Sequence, residues 1–135
     1  MIPVPTANTS SLVFVDLLVV PGGVTVVGPG DVLLDFDASM QIAIPLGAGP
    51  IGTFQIVATQ FLWNGAPLID TAFSGIAPAQ ADLFNTIAYC LRMRSLVPSP
   101  GPGVYPLSVQ WLVQDATCNA QTFANNGNLS IQTVN

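Results

Sequence analysis

Residues 31–45 alternate apolar and polar side chains with period two, and this stretch constrains the fold more than any other. Val32, Leu34, Phe36, Ala38, Met40, Ile42 and Ile44 fall on one side, and Asp31, Leu33, Asp35, Asp37, Ser39, Gln41 and Ala43 on the other. Successive strand side chains point to opposite faces, so the pattern is that of a strand with one face on a core. Such a run is long for a single strand, and a bend or bulge near Ala38 and Ser39 is expected to split it.

The same period recurs along the chain. Residues 11–20 are apolar on both sides except Asp16, which predicts a strand buried on both faces, in a sandwich or at a subunit interface. A short strand follows over 24–27. Residues 53–63 form another, and Asn64-Gly65 after it is a hairpin signal, because both residue types tolerate positive φ. The return strand is expected over 66–69, with Pro67 suited to a sheet edge. Residues 86–97, 104–114 and 128–134 complete the set. In 86–97, Ile87, Tyr89, Leu91 and Met93 face one way and Cys90, Arg92 and Arg94 the other. In 104–114, Tyr105, Leu107, Val109, Trp111 and Val113 share a face that is expected to pack near Phe36 and Ile42. Residues 70–85 read as irregular with a turn of helix around 79–83, and 115–126 as a polar loop. Glu and Lys are absent while Gly and Pro number 12 each, which leaves little from which to build helices. The reading is all-β: one domain over 1–135, a single jelly-roll β-sandwich of about eight antiparallel strands, with 1–10 as an extended N-terminal arm.

Charge narrows the function. Charged residues make up 7% of the chain, against about 25% in an average soluble protein. They are seven Asp and two Arg, for a net charge of −5. A lone protomer so composed presents water with apolar and uncharged polar groups, and burial against further copies resolves that exposure. Nucleic acid is disfavoured, since its binding needs clustered cations, and so are anionic membrane surfaces. Pro and Gly interrupt the uncharged stretch between Asp37 and Asp70, which excludes a spanning helix there. The first residues lack the basic region of a secretory leader.

Catalytic chemistry is sparse. Without His or Lys, the usual general bases and Ser-His-Asp arrangements are missing. Asp35 and Asp37 stand roughly 7 Å apart on one strand face by strand rise, but no aromatic cleft accompanies them. Asp31, Asp35 and Asp37 are hard oxygen donors without a calcium-loop pattern. Cys90 and Cys118 fit neither a zinc nor a redox spacing. A disulfide between them stays open, with free buried thiols the favoured reading. No enzyme activity, cofactor or metal is expected.

The last third carries the most specific pattern: Gly103-Val-Tyr-Pro-Leu-Ser-Val-Gln-Trp-Leu-Val, a small polar loop, then Asn128-Leu-Ser-Ile-Gln-Thr-Val. It resembles the closing strands of trimeric jelly rolls of the tumour-necrosis-factor-like class, in the versions found in phage virion and bacterial surface proteins. Residues 59–69 are compatible with that class's two-residue-turn hairpin. The resemblance implies a homotrimer with an apolar, aromatic-rich interface, to which Phe14, Trp63, Tyr89, Arg92 and Arg94 are assigned. At least one Arg is expected to bridge to an Asp of the same or a neighbouring subunit, with Asp35, Asp37 and Asp115 in reach. The function expected is that of a non-catalytic virion protein, a phage head-decoration or cement trimer in contact with other virion proteins. The alternatives are a fibre-tip module binding a receptor or sugar, and a structural protein of a cell or spore surface.

Overall fold

The computed structural model describes residues 1–44, 55–68, 72–76, 85–114 and 117–134. Every regular element among them is a strand: β1 (Ile2–Pro3), β2 (Ala7–Thr9), β3 (Val15–Val19), β4 (Val24–Val26), β5 (Asp31–Ile44), β6 (Gln55–Trp63), β7 (Ala66–Pro67), β8 (Ala72–Ile76), β9 (Asn85–Val97), β10 (Gly103–Tyr105), β11 (Leu107–Val113) and β12 (Asn119–Val134). The chain is all-β. In one sheet β9 pairs with β5 and β5 with β12, while β1 and β2 pair with the far side of β12. In the other, β3 pairs with β11 and β11 with β6, whose far side takes β7 and β8. β4 and β10 form a separate two-stranded ribbon.

The pairing is nested about the middle of the chain. β6 pairs with β8, β5 with β9, β4 with β10, β3 with β11, and β1 and β2 with β12, all antiparallel. Early residues therefore meet late ones, and the two sheets close over one core.

That core follows from the alternation. Val32, Leu34, Phe36, Ala38, Met40 and Ile42 of β5 are buried, as are Leu91, Met93 and Val97 of β9. From the other sheet come Val57, Phe61 and Trp63 of β6 and Leu107, Val109, Trp111 and Val113 of β11. Trp111, Phe36 and Ile42 belong to one apolar cluster, as the sequence predicts. The sheets also touch through a polar pair, the Thr59 hydroxyl donating to the Met93 sulfur at 3.7 Å. Asn64 and Gly65 turn the hairpin at φ 50° and 81°, and Pro67 sits in the edge strand β7.

Several expectations are corrected. β5 is unbroken, and the irregularity lies on its partner: Met40 faces Thr122 and Ala38 faces Gly127, so β12 bulges over 123–126. Gly127 makes this possible. Its φ is 149°, and a Cβ there would collide with the Asp37 carbonyl oxygen and lie 2.6 Å from the Ala38 Cα. The N-terminal arm straps over the bulge, with the Val4 amide donating to the Gly127 carbonyl at 3.0 Å and the Asn125 amide to the Val4 carbonyl at 3.1 Å. Val4 itself is buried.

Residues 119–122 are strand rather than loop, since Ala120 and Thr122 are small enough to be buried opposite β5. The predicted strand over 104–114 is two, because Pro106 has no amide to give a ladder and separates β10 from β11. Strand β8 replaces part of the irregular stretch, and the helical turn predicted at 79–83 lies outside the described residues. β3 is shorter than predicted and forms the edge of its sheet. Its register against β11 skips from Leu18 to Asp16, a bulge that buries Leu17 and Leu18 together. On its outer side Val19 is 55% exposed.

Candidate functional site

The register of β5 against β9 builds the most strongly charged feature of the described surface. Asp35 faces Arg94 and Asp37 faces Arg92, all on the outer side of the sheet because their strand neighbours fill the core. Arg92 is one step diagonal from Asp35, and both guanidiniums converge on that carboxylate. Arg92 donates from Nε to Oδ1 at 3.1 Å and from a terminal nitrogen to Oδ2 at 2.8 Å. Arg94 donates to Oδ2 from Nε at 3.3 Å and from a terminal nitrogen at 2.8 Å.

The hydrogen bonds from Arg92, then those from Arg94, hold the Asp35 carboxyl down at about 2, against an ordinary 3.8. The Asp35 hydrogen bonds in turn raise the Arg92 pKa. A carboxylate so held stays ionised near neutral pH. The Arg side chains are 64% and 57% exposed, so the pairing inside the protomer is solvated. Asp31 is occupied elsewhere, accepting from the Ser99 amide at 2.9 Å and its hydroxyl at 3.1 Å. Among the described residues, no three acidic or thiol side chains gather as metal ligands.

On the opposite side of the sandwich, the outer face of β6, β11 and β3 carries a ladder of uncharged amides ending in an acid. Gln60 donates to Gln110 at 3.0 Å, and Gln110 donates to Asp16 at 3.1 Å. Beside it runs a groove of about 570 Å³ whose lining includes Asp16, Val19, Leu62, Val104, Pro106 and Gln110.

The residues assigned to an interface separate in space. Arg92 and Arg94 come together on Asp35, within the same chain. Phe14 is half-buried just before β3. Trp63 belongs to the core at 7% exposure and stacks on Tyr105 with ring centroids 5.1 Å apart, so it offers no ring to a partner. Tyr105 is pinned in turn, its hydroxyl donating to the Pro100 carbonyl at 2.6 Å. Tyr89 faces Met40 across the ladder, and its side chain lies outside the described residues, as does Asp115. Cys118 is buried and outside any disulfide, but Cys90 is exposed, a correction that follows from its place on the arginine face. The Cys90 sulfur lies 3.7 Å from the Ser39 hydroxyl. Sequence reasoning missed Asp16 and its groove, because apolar residues on both sides of 11–20 hid which side faces out.

No known family model matches the chain, and no curated protein does. Among solved structures, it is similar to a family two carbohydrate esterase from Clostridium thermocellum in complex with cellohexaose, at 13% identity and a TM-score of 0.23. An active-site mutant of such an esterase gives 15% identity and a TM-score of 0.22. The first match covers 86% of this chain and 30% of the esterase, the second 85% and 29%. Likeness this slight carries no argument about fold or activity.

Proposed function

We propose that this chain is a non-catalytic structural subunit of a virion, a homotrimeric decoration protein on a phage head. The observation that carries the reading is the protomer surface. In a chain with nine charged residues, Leu12, Val13, Val19, Val27 and Val104 stand 56%, 68%, 55%, 88% and 61% exposed. Exposure on that scale, with few charges to offset it, fits a protein that is covered in its working state. The nested strand pairing supports the resemblance to a tumour-necrosis-factor-like jelly roll, which winds a long antiparallel hairpin into two sheets. The fibre-tip reading is weakened, since Trp63 and Trp111 are both buried and give a sugar no stacking platform.

The test is fractionation of material that contains the protein in its natural setting. Sedimentation with intact capsids, and release from them as a trimer by mild denaturant, is the expected result. Recovery with tail fibres or cell envelopes, and none with heads, would overturn the decoration role.

A further inference from the structure

We infer that the groove beside Asp16 is a docking site for a lysine side chain of a partner protein. The site stands apart from any contact between copies: the chain has no lysine, so a second copy cannot supply the occupant.

Strand register lays two rows of side chains across this outer face. Gln60, Gln110 and Asp16 stand abreast on β6, β11 and β3, and Leu62, Ser108 and Val19 stand abreast two residues along β11. The first row is polar and tied together, Gln60 donating to Gln110 and Gln110 to Asp16 Oδ1. Among the described residues, the second carboxylate oxygen of Asp16 takes no hydrogen bond. The second row is apolar around one hydroxyl. Ser108 is 7% exposed and lines the groove, and its side chain makes no hydrogen bond among the described residues. A hydroxyl on so buried a residue normally has a partner, and the groove is where it can meet one. Val104 and Pro106 continue the apolar wall.

This arrangement matches one kind of side chain. Asp16 is the charged residue of the lining, and both arginines of the chain stand on the other sheet, bonded to Asp35. The groove therefore favours a cation and rejects an anion. An arginine fork takes both oxygens of a carboxylate, and Gln110 already holds one of them. A lysine ammonium is a point charge that needs only the other. The two rows are separated by about 7 Å along β11, close to the reach of the lysine stem. With the ammonium on Asp16, the stem lies against Leu62 and Val19 and buries its methylenes there. The partner's backbone then passes over Ser108, whose hydroxyl bonds its amide or carbonyl.

Titration of the isotopically labelled full chain with Nα-acetyl-lysine methylamide, followed by heteronuclear NMR, tests this. Saturable shifts at Asp16, Val19, Leu62 and Ser108 are expected, with a Kd on the order of 1–10 mM for a single side chain. The norleucine analogue, which has the stem without the ammonium, is expected to bind about threefold to fivefold more weakly. Asp16→Asn should weaken the lysine probe by the same factor and leave the norleucine probe unchanged. Ser108→Ala should weaken both alike, because the backbone that it bonds is common to them. Absence of saturable shifts at these residues up to about 50 mM overturns the proposal, and so does equal binding of the two probes or an Asp16→Asn variant that binds lysine as well as the wild type. Saturable shifts with lactose and none with the lysine probe would give the groove to a glycan and overturn it too. A monomeric chain that shows the lysine shifts refutes the trimer and leaves the groove standing, and a trimer that shows none does the reverse.

Discussion

Trp111→Ala, set against Gln110→Ala beside it, tests the placement of the core. The two residues are neighbours on β11 and point to opposite sides. Trp111 is 1% exposed within the apolar cluster, while Gln110 bridges Gln60 and Asp16 on the outside. A buried Trp hides about 150–250 Å². At about 25 cal/mol per Å² that area corresponds to roughly 4–6 kcal/mol as an upper bound. Measured losses for large aromatics truncated to Ala run about 3–5 kcal/mol, cavity included. Trp111→Ala should therefore cost about 3–5 kcal/mol, and Gln110→Ala under about 1 kcal/mol as the loss of part-exposed hydrogen bonds. Urea unfolding followed by far-ultraviolet circular dichroism at fixed protein concentration is the assay. Fluorescence is unsuitable, because it mixes Trp111 with Trp63, and fixed concentration matters because assembly adds to apparent stability. A loss below about 1 kcal/mol for Trp111→Ala would mean that β11 is displaced by one residue, with its faces exchanged.

Three further outcomes are expected. Gly127→Ala should destabilise by more than about 3 kcal/mol, since backbone strain of about 1–3 kcal/mol adds to a collision with β5; Gly65→Ala, with open space around it, should cost about 1 kcal/mol, and equal losses in urea unfolding would contradict the bulge. Asp35 titrates lower in the folded chain than in the unfolded one, so its contribution is present above about pH 4 and lost as pH falls through about 2; melting scans should show that acid-limb loss reduced in the Arg92→Met, Arg94→Met variant, and identical acid limbs would contradict the cluster. Cys118, 1% exposed, should resist a thiol reagent until the chain unfolds; prompt labelling of both cysteines in the folded protein would place Cys118 outside the core.

What the sequence disclosed depended on how strictly its residues alternate. β5, β9 and β11 carry an apolar residue at nearly every second position, so their inner faces were legible one side chain at a time. The edge strand β3 was legible only as a choice between a place inside the sandwich and one at a subunit interface, because apolar residues on both sides of 11–20 do not tell the two apart. The start of β12 was missed for the opposite reason. Ala120 and Thr122 fill a core position with so little apolar surface that the segment reads as a polar loop. The bulge was anticipated at the right level of β5 but on the wrong strand. Its cause is Gly127, which alone can pass so close to Asp37 and Ala38. Of the site, Arg92 and Arg94 could be placed on one outer face by counting. Their meeting on Asp35 depended on register, which pairs Asp35 with Arg94 and leaves Arg92 one diagonal step away.

The central claim, that this charge-poor sandwich works as a symmetric assembly, is tested most directly by the mass of the purified chain in solution. Multi-angle light scattering at micromolar concentration and about 0.1 M salt should give three times the 14.0 kDa chain mass, held on dilution. A single species at 14.0 kDa would contradict the account, for Val13, Val19, Val27 and Val104 would then face water with nothing to cover them.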